Sequence, residues 1–253
     1  MSRKPISVLV AAGVCVATLP WGVNALASPA DRRSPAVRQT TRSTAALSGL
    51  TARLRDLGGI SPHVLELALG AVQCGVASGD LDAPPTLTVI DYSRPSVEPR
   101  LWVFDLKTGA LLFKELVAHG RNTGENMATN FSDAMNSHQS SLGLFVTGDT
   151  YVGSNGYSLR LDGLEPGFNA RARDRAIVMH GAPYVNATLA AAQGRIGRSW
   201  GCPALREAVA RDVIDTIRGG GVIFSYYPDA KWLAASRFLN GCGHTPTTVL
   251  ATS

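Results

Sequence analysis

The spacing of hydrophobic positions changes character along the chain. Val64, Leu65, Ala68, Leu69 and Val72 recur at helical spacing behind Ser61-Pro62, a cap residue followed by proline at the first helical position. This predicts a helix that runs out between Gly75 and Gly79, after which Ala83-Pro84-Pro85 breaks the chain. From Leu87 onward the pattern is that of strands. Apolar or β-branched runs at 87–91, 101–105, 111–118, 142–147, 157–161, 176–179 and 222–227 are bounded by turn residues. Leu106-Lys107-Thr108-Gly109 reads as the hairpin turn between the second and third runs. Helical spacing returns at 203–218, with Leu205, Ala208, Val209, Val213, Ile214 and Ile217 on one face and Gly219-Gly220-Gly221 as the stop. The expectation is a mainly β chain with two helices and no internal repeat.

The first 27 residues do not belong to that pattern. Arg3 and Lys4, then an apolar run from Ile6 to Leu19, then Ala25-Leu26-Ala27 read as a signal peptide cleaved after Ala27. The apolar run falls short of the roughly 20 residues a membrane span needs, so no stable insertion is expected after cleavage. Cys15 lies inside that run, without the small residue before it that a lipid-anchored cysteine would have. Residues 28–45 read as a linker, 46–83 as an N-terminal helical segment, 84–230 as a catalytic-sized domain and 231–253 as a tail. The net charge of +5 includes Arg32, Arg33, Arg38 and Arg42 of the linker. No aromatic residues interleave with them, so nucleic acid is not an expected partner.

An exported chain meets an oxidising compartment, where Cys74, Cys202 and Cys242 make an odd number. A Cys74–Cys242 bridge would clamp the first helix and the tail onto the domain and leave Cys202 free; the alternative is two unpaired thiols. Cys202 stands just ahead of the helix expected from Pro203. A helix N-terminus favours a thiolate, and the N–H groups there, with those of Gly201 and Trp200, would hold a developing oxyanion. His180, at the end of a strand and followed by Gly181, is the candidate base. Taken singly, the cysteine reads as a buried structural thiol and the histidine as a satisfied core residue. Neither account explains a glycine-flanked pair. No two histidines or cysteines show the close spacing of a zinc site, so no metal or cofactor is expected.

The segment VMHGAPY…GRIGRSWGCPAL resembles the murein L,D-transpeptidase catalytic domain, whose signature is His-Gly followed by Ser-x-Gly-Cys. LWVFDLKTGALLFKELVAHGRNTG is similar to the opening hairpin of that family and GGGVIFSYY to its closing strand. SSLGLFVTG stands where the family usually has Thr-Pro-x-Gly and a strand, so the likeness spans 86–228. It implies a β-sandwich or barrel catalytic domain behind a short helical segment, acting on peptidoglycan stem peptides in the periplasm or wall space. Cys202 would attack the carbonyl of L-diaminopimelate in a tetrapeptide stem and expel D-alanine, with His180 taking the thiol proton. The carbonyl of Gly181 would orient the imidazole, and Ser199 and Gly201 would shape the thiol turn. The resemblance further implies acylation by carbapenems, which mimic the donor peptide.

Substrate contacts are expected from Trp200, Arg198, His119, Ser141 and Gly143, with Asn136-Ser137-His138 as a further cleft segment. Most of the family carries an arginine two residues after the cysteine; Ala204 stands there in this Gly-Cys-Pro-Ala version, and Arg198 is the candidate substitute. A sortase-like enzyme shares the His-then-Cys order but places a later arginine on a strand, and 222–227 has none. Papain-like enzymes reverse the order. A non-catalytic wall-binding protein would have lost the histidine or the cysteine. The acyl acceptor stays open between a second stem peptide (giving a 3–3 cross-link), water and a protein amine.

Overall fold

The computed structural model describes residues 58–242; the expected signal segment, the linker and the end of the tail lie outside them. The described chain begins with helix α1 (Pro62–Ala77), whose preceding residue Ser61 is extended and whose first position is proline. Nine strands follow: β1 (Thr86–Asp91), β2 (Leu101–Asp105), β3 (Leu111–Glu115), β4 (Val117–Ala118), β5 (Gly143–Gly153), β6 (Gly156–Gly163), β7 (Val178–Gly181), β8 (Ala204–Leu205) and β9 (Val222–Tyr226). Helix α2 (Ala187–Gln193) lies between β7 and β8, and α3 (Glu207–Ile217) between β8 and β9. Helices α4 (Ala230–Ala235) and α5 (Arg237–Asn240) close the described part.

All nine strands form one sheet in the order β3-β2-β1-β9-β5-β6-β7-β8-β4. The outermost strands, β3 and β4, are consecutive in sequence with only Leu116 between them. That single residue brings the two ends of the sheet together, so the sheet is nearly closed. The pairs β1–β9 and β7–β8 are parallel and the others antiparallel.

The period-two alternation of the strands sorts side chains into two cores. Trp102 and Phe104 of β2, with Val222 and Phe224 of β9, pack with Leu65 and Leu69 of α1 and with Trp232 and Phe238. Leu101, Val103 and Ile223, pointing the other way, pack with Val213, Ile214 and Ile217 of α3. Both faces are covered, which is why these strands read as near-continuous apolar runs. Among the described residues no helix is long and apolar enough to cross a membrane.

Three expectations need correction. The run 111–118 is two strands that belong to opposite ends of the sheet. The described helices number five rather than two, because α2, α4 and α5 are too short to establish a hydrophobic period. The helix expected from Pro203 starts at Glu207, since Ala204 and Leu205 are taken into a ladder with β4 and β7.

A disulfide joins Cys74, in the last turn of α1, to Cys242, with the Cα atoms 5.5 Å apart. It ties segments 168 residues apart, so most of its stabilisation comes from restricting the unfolded chain. Replacing both cysteines by serine is expected to lower stability by about 2–4 kcal/mol. Denaturant unfolding with and without the pair checks this, and an unchanged midpoint would contradict it.

Candidate active site

Strand β7 carries Val-Met-His-Gly, with His180 paired to Ala204 and Gly181 to Leu205 of β8. Cys202 precedes β8 and is 8% exposed, the free cysteine among the described residues. Its Sγ accepts from the N–H of Val178 at 3.4 Å and donates to the carbonyl of Ala176 at 3.7 Å. The thiol is therefore lodged against the chain that leads into His180. It does not sit at a helix N-terminus, and the helix-based activation expected from the sequence does not apply. Burial pushes the thiol above its ordinary value, opposed by the Val178 N–H and by the charge of Arg175.

His180 is largely buried, and its Nδ1 lies 2.9 Å from the carbonyl oxygen of Gly181. A carbonyl only accepts, so Nδ1 carries the proton and Nε2 is left with its lone pair. Burial holds the imidazole below its ordinary value, and the Gly181 carbonyl opposes that shift. A neutral ring with a basic Nε2 results.

The turn carrying the thiol is braced from within. Ser199 Oγ donates to the carbonyl of Cys202 at 2.7 Å and accepts from the N–H of Gly201 at 3.1 Å. Gly201 adopts φ +122, a conformation suited to glycine, and so lets the turn form. Its N–H is already bonded and is not an oxyanion donor, contrary to the sequence expectation. Ser140 Oγ accepts from Gly120 N–H at 3.0 Å and donates to the Gly201 carbonyl at 3.1 Å. Gly120 is needed for close approach: a Cβ there would overlap the His138 carbonyl and stand 3.0 Å from Gly201 Cα.

The sequence profile of the L,D-transpeptidase catalytic domain matches residues 57–226, more than half of the chain. The chain belongs to this family. No curated protein matches it. Among solved structures it is similar to an L,D-transpeptidase from Mycobacterium smegmatis, at 15% identity over 56% of this chain and 59% of that one, TM-score 0.36. It is also similar to an L,D-transpeptidase from Mycobacterium tuberculosis, at 15% identity, 57% and 58% coverage and TM-score 0.37. A fused Zn-dependent amidase/peptidase/peptidoglycan-binding protein from Clostridium acetobutylicum matches at 18% identity, 66% and 62% coverage and TM-score 0.34. The chain spans less than two thirds of the length of these structures.

Around this candidate centre of an L,D-transpeptidase-family chain, the expected substrate contacts divide. Trp200 is 70% exposed and stacks on His138, with ring centroids 5.0 Å apart. His119 is not on the cleft surface. It is fully buried, accepts from Arg100 at Nδ1 over 2.7 Å and donates from Nε2 to Gly124. Burial beside that arginine lowers it to about 4, so it is a neutral core residue. Gly143 also lies inside, where a Cβ would collide with Glu165. Ser141 is buried and accepts from Arg175 at 2.6 Å. Arg198 is spent on the 121–125 loop, where Nη1 donates to the carbonyls of Arg121 and Gly124 and to Glu125.

Ala204, at the usual arginine position, is fully buried in an apolar cluster with Leu116, Ala118 and Ala182. A long cation there would lie among hydrocarbon, which accounts for the alanine. Sequence reading overlooked Arg175. It sits in the run RARDRA, which looks like a solvated charged turn, and only the fold turns it inward.

Proposed function

We propose that this chain is a peptidoglycan L,D-transpeptidase that works outside the cytoplasm with Cys202 as nucleophile and His180 as base. The observation that carries this reading is the free thiol lodged against the strand that carries His180, whose Nδ1–H is tied to a carbonyl. In the first half-reaction His180 Nε2 takes the thiol proton as Sγ adds to the carbonyl carbon of L-diaminopimelate. The tetrahedral oxyanion collapses, the C–N bond breaks, and the histidine returns the proton to the departing amine of D-alanine. The backbone N–H groups of Trp200 and Cys202, which have no acceptor among the described residues, are the donors left for the oxyanion.

The second half-reaction reverses these roles. An acceptor amine, or water, gives its proton to His180 and attacks the thioester, and Cys202 is released as a thiol. The exposed Trp200–His138 stack would serve as one wall of the cleft, presenting a flat apolar surface beside the nucleophile. Faropenem, named in the adduct of an L,D-transpeptidase 3 from Mycobacterium tuberculosis, is a β-lactam; a β-lactam of the carbapenem type is the probe for Cys202 here.

Incubation of the protein with disaccharide tetrapeptides, with products resolved by mass, tests the reading. Loss of D-alanine with a dimer linked through two diaminopimelate residues marks transpeptidation, and a free tripeptide marks hydrolysis. A folded protein that leaves the tetrapeptide untouched would contradict both.

A further inference from the structure

Arg175 is a buried cation beside the nucleophile, with its side chain 3% exposed. Nη1 donates to the Ser132 carbonyl at 2.8 Å and to Ser141 Oγ at 2.6 Å. Nη2 donates to the Gln139 carbonyl at 2.6 Å and to Ser137 Oγ at 3.0 Å. Both terminal nitrogens are thus committed to protein oxygens, and the group is not free to grip a substrate carboxylate. What it can supply is charge. A Cβ built on Gly201 would lie 3.4 Å from Nη2, so the guanidinium packs against the residue preceding Cys202.

The chain that leaves Arg175 reinforces this placement. It turns through Ala176 at φ +53, a conformation that costs a non-glycine residue energy and that the surrounding contacts must hold. The turn presents the Ala176 carbonyl and then the Val178 N–H to the sulfur. Four consecutive residues therefore supply a cation, an acceptor for the thiol proton and a donor to the sulfur.

The other ionisable groups around the thiol are few. His180 lies across the β7–β8 pair. Tyr92 and Tyr184 also face Cys202, and burial holds both phenols neutral, up at about 12. Asp133 is the acid paired with Arg175, 3.8 Å from Nη1, and its two carboxylate oxygens already accept from the N–H of Arg171. An ionising thiol in this poorly solvated place needs an opposite charge nearby.

We propose that Arg175 is the positioning residue that makes Cys202 ionisable, its buried charge taking the part that a helix N-terminus plays in other reactive cysteines. The proposal rests on the reading of Cys202 as the nucleophile and adds the group that stabilises its thiolate while His180 accepts the proton.

The test is the pH dependence of iodoacetamide alkylation, followed by mass on the peptide that contains Cys202. Arg175→Gln is expected to move the inflection up by about one pH unit, making alkylation about tenfold slower at a pH below it. Arg175→Lys should restore most of the wild-type profile. Asp133→Asn removes the opposing charge and should move the inflection the other way. A role confined to bracing the 132–141 loop would slow or unfold the variants without moving the inflection in opposite directions. An unmoved inflection, a shift of the same sign in both variants, or a lysine variant no better than glutamine overturns the proposal. Should Arg175→Gln fail to fold, the direction in Asp133→Asn decides. Alkylation requires no turnover, so this failure is distinct from that of the nucleophile reading, which would show as activity surviving without the thiol.

Discussion

With Cys202 replaced by alanine, the protein is expected to release no D-alanine from a tetrapeptide stem and to form no adduct with a carbapenem. The wild-type chain should gain the mass of one drug molecule, mapped to the peptide holding Gly201-Cys202-Pro203. The expected loss is complete within detection because covalent catalysis passes every turnover through the sulfur. Folding should survive the change. The two bonds made by Sγ are long sulfur contacts, and the turn is braced by Ser199 and Ser140 rather than by the thiol. Intact mass, a D-alanine assay and circular dichroism on both proteins check the result. Release of D-alanine that persists in a folded Cys202→Ala protein would remove Cys202 from the mechanism.

The second large effect is expected at His180. Its replacement by alanine should reduce turnover by on the order of 10²–10⁴, the usual worth of a positioned general base. The pH profile supplies an independent check. A base must be neutral to act, and burial lowers the pKa of His180 from its ordinary value of 6.5. Activity is therefore retained as pH falls toward that value and is lost only as pH drops through the lowered pKa. The acid limb of kcat/KM should lie below the ordinary imidazole range, and it should disappear in His180→Ala. An acid limb unchanged in the variant would assign it to another group.

Much of this architecture could be read from the chain, for physical reasons that also explain the failures. Strands such as β2 and β9 alternate into two cores and so appear as short apolar runs with clear ends. α1 is marked by Ser61-Pro62 and by a full apolar face. Ser199, Gly201, Cys202 and His180 are picked out in the sequence by a motif; the fold puts Ser199 and Gly201 in the turn that carries Cys202, and His180 on the strand paired with β8. Local pattern fails where pairing partners lie far apart in sequence. Nothing in Pro203-Ala204-Leu205 distinguishes the start of a helix from a strand recruited by β7 and β4, since the amphipathic period simply continues through it. His119 and Gly143 looked like cleft residues because of their neighbours in sequence, yet the interior holds both. Arg175 was hidden by the charged residues around it, because burial of one arginine among several is a property of the tertiary structure.

The strand order has its shortest ladders at the seam. β4 and β8 are two residues each and pair only with one another and with the end of β7. Long ladders elsewhere, such as β5–β6, do not touch the reactive groups. His180 is held by Ser158 of β6 on one side, but the strand that follows Cys202 is joined to it only through the part of the sheet with the fewest rungs, next to where the sheet nearly closes. Severing β8 from β7 would loosen the thiol turn, which keeps its bonds to Ser140, His119 and Arg121, while leaving most of both hydrophobic cores intact. Local geometry at the thiol and global foldedness are therefore expected to be separable quantities, since a two-residue ladder opens more readily than either hydrophobic core.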